Sequence, residues 1–388
     1  MVVAAPALGE EERLLQSTAR DFAQREVAPT AIERDEAERF DRSIFTRMGS
    51  LGLTAAPIPE EVGGAGFSYL AWTLVMEELG AADMATAVTL SVHILSQLPV
   101  VTWGTSEQTA RWLPAMLSGE ALGAFALTEP HAGSDASAIR TRAERSDDGR
   151  SYRLSGTKIW ISNAPEADRY LVFATVDPEA GAKGITAFLV EKGMPGFRFG
   201  AHEKKMGIRS CPAAELVFEG CEVPADNRLG EEGDGYRIAL SALGEGRISI
   251  AAACVGMARA GLEAAARYLG ERKAFGGPLS EQQGLRFMLA EMARDVAAAR
   301  ALTREAAAAK DRGQPLAEVS SLAKWAASDT AMRVATEAVQ LFGASGYSRE
   351  TGIERLMRDA KGAQIYEGTN QIHREIVAGE VLKRAGSS

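Results

Sequence analysis

Arg153-Leu154-Ser155-Gly156-Thr157-Lys158-Ile159-Trp160-Ile161-Ser162 alternates apolar and polar side chains, the pattern of a half-buried β-strand. Residues 170–176 and 185–190 show the same alternation, and residues 215–218 add a further strand-like run. Asp147-Asp148-Gly149 is a turn signal just before the quoted stretch. The middle third of the chain is therefore predicted to form a small β domain, a sandwich or a barrel.

Helical periodicity fills the chain on both sides of this β region. Residues 10–27 place Leu14, Leu15 and Phe22 on one face, and apolar residues recur at three- and four-residue steps between positions 285 and 302. No G-x-G-x-x-G or P-loop motif is present, so a bound dinucleotide would not occupy a Rossmann domain. We expect a multidomain α+β protein with an all-α domain (1–121), a β domain (122–234) and a four-helix-bundle-type domain (235–388).

Composition narrows the function classes. The 388 residues include 43 basic and 52 acidic side chains, a formal charge of −9, which argues against nucleic acid or an anionic membrane as the general partner. Three scattered cysteines predict free thiols, and four histidines without metal-ligand spacing predict no metal site. We find no signal peptide and no apolar stretch long enough to span a bilayer, the longest candidate being residues 85–103. A cytoplasmic protein without membrane insertion is expected.

Two short motifs carry chemistry. Leu127-Thr128-Glu129-Pro130-His131-Ala132-Gly133-Ser134-Asp135 can be neither helix nor strand, and its hydroxyls and glycine suit a loop that lines a bound ring. Ile365-Tyr366-Glu367-Gly368-Thr369-Asn370 places a carboxylate on an apolar segment. Such a glutamate accepts a proton near neutral pH only where a dry site raises its pKa. Taken alone, residues 127–135 would suit a plain turn, and Glu367 would suit a solvated turn residue.

Together the motifs resemble the acyl-CoA dehydrogenase family of flavoenzymes. Residues 207–210 are most similar to the corresponding segment of short-chain members. The resemblance covers essentially the whole chain. It implies FAD as the cofactor and α,β-dehydrogenation of an acyl-CoA thioester in fatty acid β-oxidation. Glu367 would remove the α-proton while hydride passes to flavin N5. It further implies an electron-transfer flavoprotein as the electron acceptor and a homotetramer built as a dimer of dimers.

The resemblance also assigns cofactor contacts. The flavin end would be held by Phe125, Leu127, Thr128, Gly133, Ser134, Trp160, Ser162, Thr369 and Gln371. The adenosine diphosphate end of a neighbouring subunit's FAD would be held by Arg272, Phe275, Gln283, Gln340, Gly343 and Ala344. Structural alternatives stay open for several of them. Trp160 could instead pack in the core, and Arg272 could be a cation at a helix end. Gln283 could form a capping box with Ser280, and Gly343 could end a helix.

Substrate contacts are assigned in the same way, to Ser134, Gly244, Arg247, Tyr366 and Gly368. Arg247 is equally suited to a structural ion pair, and Tyr366 to a core position. The backbone N–H of Glu367 would hold the thioester carbonyl, and Gly368 would keep that N–H reachable.

Two departures from the family pattern matter. Some members place the carboxylate at the position of Gly246, and many have an acidic or amide residue at Gly244. Glu245 lies one step from Gly246, about 100° around a helix, so we expect it to point elsewhere.

Two rival functions are kept. One is a flavin oxidase or monooxygenase of the same fold, and the other is a decayed, non-catalytic acyl-CoA-binding protein. Residues 91–99 are expected near the pocket floor by resemblance, with His93 a satisfied interior histidine. The sequence leaves open the acyl length and branching, and whether coenzyme A or a carrier protein bears the thioester.

Overall fold

The computed structural model describes residues 8–386, and it confirms the predicted fold class: helices, then one mixed sheet, then helices. The N-terminal helices are α1 Glu10–Phe22, α2 Ala31–Glu36, α3 Arg42–Ser50, α4 Tyr69–Ala82, α5 Met84–Trp103 and α6 Ser106–Leu117. The helix predicted for residues 10–27 begins at Glu10, but its last turn, Ala23–Val27, widens into a π-helix. Leu14 was wrongly placed on the buried face, since it is 68% exposed.

The middle region is an eight-stranded sheet. Its strands are β1 Gly123–Ala126, β2 Arg142–Arg145, β3 Ser151–Ser162, β4 Arg169–Thr175, β5 Ile185–Glu191, β6 Phe197–His202, β7 Ala213–Pro224 and β8 Arg228–Leu229. The strand order is β6-β7-β3-β2-β4-β5-β8, and β1 pairs with β4 in parallel. The predicted turn joins β2 to β3, where Gly149 N–H donates to the carbonyl of Ser146 at 2.9 Å. The strands β1, β2 and β6 were missed because they are short or weakly alternating.

The C-terminal region is a helical assembly. Its elements are α7 Gly235–Glu271, β9 Lys273–Ala274, β10 Gly277–Pro278, α8 Gln283–Asp311, α9 Ala317–Phe342, α10 Ala344–Tyr347, α11 Ile353–Ala363 and α12 Asn370–Gly386. The apolar stripe predicted along α8 faces the bundle, where Met292, Val296 and Ala299 are buried. The alternative capping box does not form, because α8 begins at Gln283 itself with Gln282 as its N-cap.

Helices α5 and α7 are, among the described residues, long and apolar enough to cross a membrane by length and composition. The sequence-based statement that no stretch reaches that length was therefore wrong. Both helices lie in the protein interior, with 94% and 83% of their most apolar windows buried. Core helices of globular proteins pass the same test, so burial accounts for their composition.

Two glycines let α4 and α7 cross at backbone contact. A Cβ at Gly80 would overlap the backbone of Ala253, and a Cβ at Gly256 would overlap the carbonyl of Glu77. Each helix therefore presents a glycine to the other helix's backbone. This crossing fixes α7 against the N-terminal helices, and α7 supplies one wall of the site described below.

We predict that Gly256→Val destabilises the fold by about 3 kcal/mol, because the added methyl groups force the two helices apart. The matched control is Gly270→Ala near the exposed end of α7, where an added Cβ meets nothing within 4 Å. That control should raise stability by about 0.5 kcal/mol, since alanine is the better helix former. Thermal unfolding of both variants measures the difference, and equal melting temperatures would contradict the close-crossing argument.

Candidate active site

A cavity of about 1340 Å³ opens where the sheet meets the two helical regions. Walls come from α5, the loop after β1, the end of β3, the first turns of α7 and the bend between α11 and α12. Thirteen residues predicted from the sequence line this one cavity: Phe125, Leu127, Thr128, Gly133, Ser134, Trp160, Ser162, Gly244, Arg247, Tyr366, Glu367, Gly368 and Thr369. Residues from four separate parts of the sequence are thus brought together.

Glu367 sits in a tight bend between two helices. Its φ is +53°, in the left-handed region that side-chain-bearing residues seldom adopt, and the following Gly368 has φ +93°. A Cβ at Gly368 would lie 3.1 Å from the ring of the buried His373, so that ring and the backbone angle both favour glycine there. The bend turns the Glu367 side chain back into the cavity instead of along the helix surface.

The Glu367 residue is half-buried on the cavity lining, and its carboxyl is largely shielded from solvent. Burial raises the pKa of Glu367 to about 7, although the nearby charges of Lys324 and Arg247 act to lower it. Its Oε2 is buried and has no hydrogen-bond partner among the described residues. A carboxyl with this pKa changes protonation near neutral pH, which is what a general base needs.

Gly246 on α7 faces this carboxyl directly. A Cβ at Gly246 would lie 2.6 Å from Glu367 Oε2 and 3.1 Å from Leu95 Cδ1. A side chain at position 246 and the Glu367 carboxyl would therefore occupy the same space. Glu245 turns elsewhere as expected, to accept a hydrogen bond from Lys310 Nζ at 2.6 Å and another from the Tyr69 hydroxyl. Even so, Glu245 and Lys310 border the same cavity.

Arg247 and Tyr366 flank Glu367 without pairing with it. Arg247 Nη1 donates to Ser321 Oγ at 3.4 Å, and its Nε is buried without a partner among the described residues. The Tyr366 hydroxyl is likewise buried and unpartnered, and burial raises its pKa well above the ordinary value. Three buried polar groups on the lining of one cavity, those of Glu367, Arg247 and Tyr366, thus lack hydrogen-bond partners among the described residues. Buried polar groups are normally satisfied, so they indicate a polar ligand.

The loop of residues 127–135 is anchored by a buried ion pair that the sequence did not reveal. Lys158 Nζ lies 2.8 Å from Glu129 Oε1 and donates to the carbonyl of Leu127 at 3.0 Å. Glu129 also accepts from the backbone N–H groups of Arg140 and Thr141 at 2.6 and 2.9 Å. Burial acts to raise the pKa of Glu129, but the Lys158 charge holds it below its ordinary value. Glu129 therefore stays ionised as a structural anchor.

A β-bulge explains why Trp160 faces the cavity. The pairing of β3 with β7 shifts register between Lys158 and Ile161, and Trp160 has φ +58°. The alternative of a core tryptophan is wrong, because Trp160 is 54% exposed. Trp160, Ile161 and Ser162 all line the cavity, so the two-residue alternation assumed from the sequence fails at the bulge.

The other predicted cofactor residues lie outside this cavity. Arg272, Phe275, Gln283, Gln340, Gly343, Ala344 and Gln371 are all exposed. Phe275 is 92% exposed with φ +53°. Tyr268 stacks on Phe342 with ring centroids 4.2 Å apart, which brings the C-terminal ends of α7 and α9 together. Gly343, with φ +60°, ends α9 as the helix-stop alternative expected. These segments therefore form a second surface of the chain.

The remaining polar candidates are structural. His93 is fully buried, with Gly123 N–H donating to its Nδ1 and its Nε2 bonded to the Met116 carbonyl, both at 3.0 Å. This confirms a satisfied interior histidine. Val92 and Leu95, from the predicted floor segment, line the cavity. All three cysteines are free and buried. Within residues 8–386, no group of three or more His, Cys, Asp or Glu side chains is placed to hold a metal ion.

The lining suits a flavin on chemical grounds. Thr128, Ser134 and Ser162 supply hydroxyls and Trp160 an exposed ring. An added Cβ at Gly133 would meet nothing within 4 Å, so the backbone there borders open space. Flavin carbonyls and ring nitrogens require such donors and a close backbone approach. The residues present therefore fit the ring of FAD.

Four further cations that the sequence analysis did not assign to the site come from three separate parts of the chain. Lys204, Lys205, Arg237 and Lys361 border the cavity of a protein whose formal charge is −9. Lys324, on α9, was also missed. It is fully buried and donates to the Gly368 carbonyl at 2.7 Å. A lysine within an apolar, alanine-rich helix was the only sequence signal for it.

Comparisons with known proteins agree with this geometry. The chain matches the family models described as acyl-CoA dehydrogenase N-terminal, middle and C-terminal domains over residues 9–120, 124–221 and 233–382. It is 42% identical to an acryloyl-CoA reductase (NADH) of Anaerotignum propionicum, covering 97% of this chain and 96% of the relative.

Two solved structures are similar over almost their whole length. Butyryl-CoA dehydrogenase from Megasphaera elsdenii has a TM-score of 0.95 and 44% identity, covering 97% of this chain and 99% of that one. A chain in a structure described as an electron transferring flavoprotein of Acidaminococcus fermentans has a TM-score of 0.96 and 46% identity, covering 98% and 100%.

We predict that Lys158→Met costs about 3–5 kcal/mol of stability, because it leaves the Glu129 carboxylate buried without its cation. Bound flavin, measured by absorbance after gel filtration, should fall as the loop loosens. The double variant Lys158→Met/Glu129→Gln should recover part of the melting temperature, since no buried charge is left unpaired. A single variant as stable as the unmodified protein would contradict the anchoring role.

Proposed function

The chain belongs to the acyl-CoA dehydrogenase family of FAD-dependent oxidoreductases, and on that premise we propose that it desaturates a short-chain acyl-CoA between Cα and Cβ, with Glu367 as the base. The three unpartnered polar groups on the cavity lining, those of Glu367, Arg247 and Tyr366, carry the proposal. Glu367 combines burial, a pKa near neutrality and a position that a thioester can reach.

The proposed chemistry divides between the protein and its cofactor. When bound, FAD supplies the acceptor for the hydride that leaves Cβ. Glu367 takes the α-proton, which is a poor acid unless the enolate-like charge on the thioester oxygen is stabilised. The backbone N–H of Glu367 is the proposed donor to that oxygen. The apolar side chains around the cavity exclude water, which strengthens this bond and keeps the carboxyl basic.

Coenzyme A as the thioester carrier is supported by charge. Lys204, Lys205, Arg237 and Lys361 border a cavity that is otherwise largely apolar, and phosphate groups pair with such cations. Against an overall charge of −9, a local basic rim attracts a polyanion that the rest of the surface repels. A short acyl group is supported by the butyryl-CoA dehydrogenase of Megasphaera elsdenii.

Partners beyond the substrate are also proposed. The similarity to a chain in the Acidaminococcus fermentans flavoprotein structure supports an electron-transfer flavoprotein as the acceptor. The exposed Phe275, with Arg272 and Gly343 on the same surface, supports cofactor contacts made to a neighbouring subunit of a homotetramer. A role in fatty acid β-oxidation and a cytoplasmic location remain part of the proposal.

A second candidate is the reverse reaction, favoured by the acryloyl-CoA reductase of Anaerotignum propionicum. Glu367 in its protonated form would then deliver a proton to Cα. A pKa of about 7 leaves both protonation states populated at neutral pH, so the same residue serves either direction. Steady-state rates with an enoyl-CoA plus NADH, against rates with an acyl-CoA plus an artificial electron acceptor, separate the two.

We predict that Glu367→Gln keeps its FAD but bleaches at least ~10³-fold more slowly with butyryl-CoA under anaerobic conditions, since the amide cannot accept the α-proton. Stopped-flow absorbance at the flavin band measures the rate. Glu375→Gln, on the exposed side of α12, is the matched control and should bleach normally. Full-rate bleaching by Glu367→Gln would refute the assignment, and rapid oxygen consumption by the unmodified enzyme would favour an oxidase.

The pH dependence follows from the same residue. Glu367 must be unprotonated to act as a base, and its pKa is raised to about 7. We therefore predict that kcat/KM for dehydrogenation rises about tenfold per pH unit below pH 7 and levels off above it. A profile flat down to pH 5 would mean that the base titrates as an ordinary exposed carboxylate.

A further inference from the structure

The buried ammonium of Lys324 makes no direct ion pair with a carboxylate. It is the fully buried eighth residue of α9, and no carboxylate oxygen among residues 8–386 lies within 4 Å of its Nζ. Instead, its Nζ donates to the Gly368 carbonyl at 2.7 Å and lies 3.5 Å from Asn370 Oδ1. Burying a charged lysine costs several kcal/mol. A buried lysine whose closest partner is a backbone carbonyl is therefore expected to have a specific role.

The carbonyl that Lys324 holds belongs to the bend that positions Glu367. Two consecutive residues there, Glu367 and Gly368, have positive φ, and such a conformation at a residue with a side chain costs ~1–3 kcal/mol unless its surroundings enforce it. Lys324 fixes the second peptide of this bend to α9. Asn370, the first residue of α12, adds hydrogen bonds to Ser328 Oγ at 3.0 Å and Asp329 Oδ1 at 2.7 Å.

Charge adds a second effect. Lys324 and Arg247 are the cations whose fields act on Glu367, and both oppose the rise in its pKa that burial causes. The groups facing Lys324 are Cys254 and Arg247 on α7, Glu367 in the bend, Asp329 on its own helix and the buried His373 on α12. Burial lowers the pKa of His373 to about 3, so this ring stays neutral near neutral pH. Burial raises the pKa of Cys254 to about 12, so this thiol stays neutral across the assay range.

We propose that Lys324 is a positioning residue for the reaction: it holds the strained Glu367–Gly368 bend against α9 and supplies a positive charge close to the Glu367 carboxyl. This inference rests on the proposed role of Glu367 as the base. Lys324 itself touches neither the substrate nor the cofactor in this assignment, because it reaches the site through a backbone carbonyl.

Lys324→Met tests both parts, because methionine fills a similar apolar volume without a charge or a donor. We expect flavin content to persist and the anaerobic bleaching rate with butyryl-CoA to fall about 10²-fold, since small displacements of a reacting group have effects of that size. KM should change much less than kcat. The acid limb of the kcat/KM profile should move to higher pH, because removing a cation raises the pKa of Glu367.

The matched control is Cys254→Ala, which removes a neutral group beside Lys324. It should lower the melting temperature slightly and leave the position of the acid limb unchanged. A purely structural Lys324 would lower stability in the same way without moving the limb. Wild-type bleaching and an unmoved limb in Lys324→Met would overturn the proposal.

Two further variants allow the proposal to be tested even if Lys324→Met does not fold. If Lys324→Met gives no folded flavoprotein, Asn370→Ala is measured instead. It loosens the same bend without changing its charge, so a lower bleaching rate with an unmoved limb supports the proposal and an unchanged rate overturns it. Glu367→Gln is run in parallel. Full bleaching in that variant defeats the proposed function, whereas an inactive Glu367→Gln beside a normal Lys324→Met defeats only the role of Lys324.

Discussion

The structure depends on keeping one carboxyl buried without letting a cation touch it. Two buried glutamates in this chain show the difference. Glu129 meets Lys158 at 2.8 Å, and its pKa falls below the ordinary value in spite of burial. Glu367 has Lys324 nearby but not in contact, and its pKa rises to about 7. A contact ion pair would leave Glu367 permanently ionised and too weak a base, whereas full isolation would leave it protonated. The distance to the lysine therefore decides which of the two carboxyls changes protonation near neutral pH.

That balance explains where the fold is rigid. The bend between α11 and α12 can place a carboxyl in the cavity only with positive φ at Glu367 and Gly368, and α9 has to hold it there through Lys324 and Asn370. On the opposite wall, α7 is fixed by its glycine crossing with α4 at Gly256. Both walls of the site are thus supported by backbone-level contacts, which tolerate less displacement than side-chain packing does.

The sequence predicted the fold class and the cavity-lining residues because each depends on local signals: alternation, helical periodicity, and two motifs read by resemblance. It failed where the signal is not local. Trp160 and Ser162 do line one cavity, but the bulge in the pairing with β7 next to Trp160 is not visible in the alternation of the sequence. Leu14 was grouped with Leu15 and Phe22 by the helical periodicity of α1, but it is 68% exposed while the other two are buried. Lys324, Lys158 and Lys310 became informative only once their partners, 29 to 65 residues away, were in place.

The pairing of Gly246 with Glu367 shows that the site has room for one base only. A Cβ at position 246 would already lie 2.6 Å from the carboxyl oxygen, so a glutamate there would need Glu367 to be absent or turned away. Two carboxyls sharing that space could not both ionise readily, because each charge would suppress the other. A carboxylate placed at position 246, the alternative that the family resemblance allows, would enter the same space from the α7 wall. A side chain at position 246 would require the Glu367 carboxyl or Leu95 to shift, so glycine on the α7 wall leaves the space that the proposed base occupies.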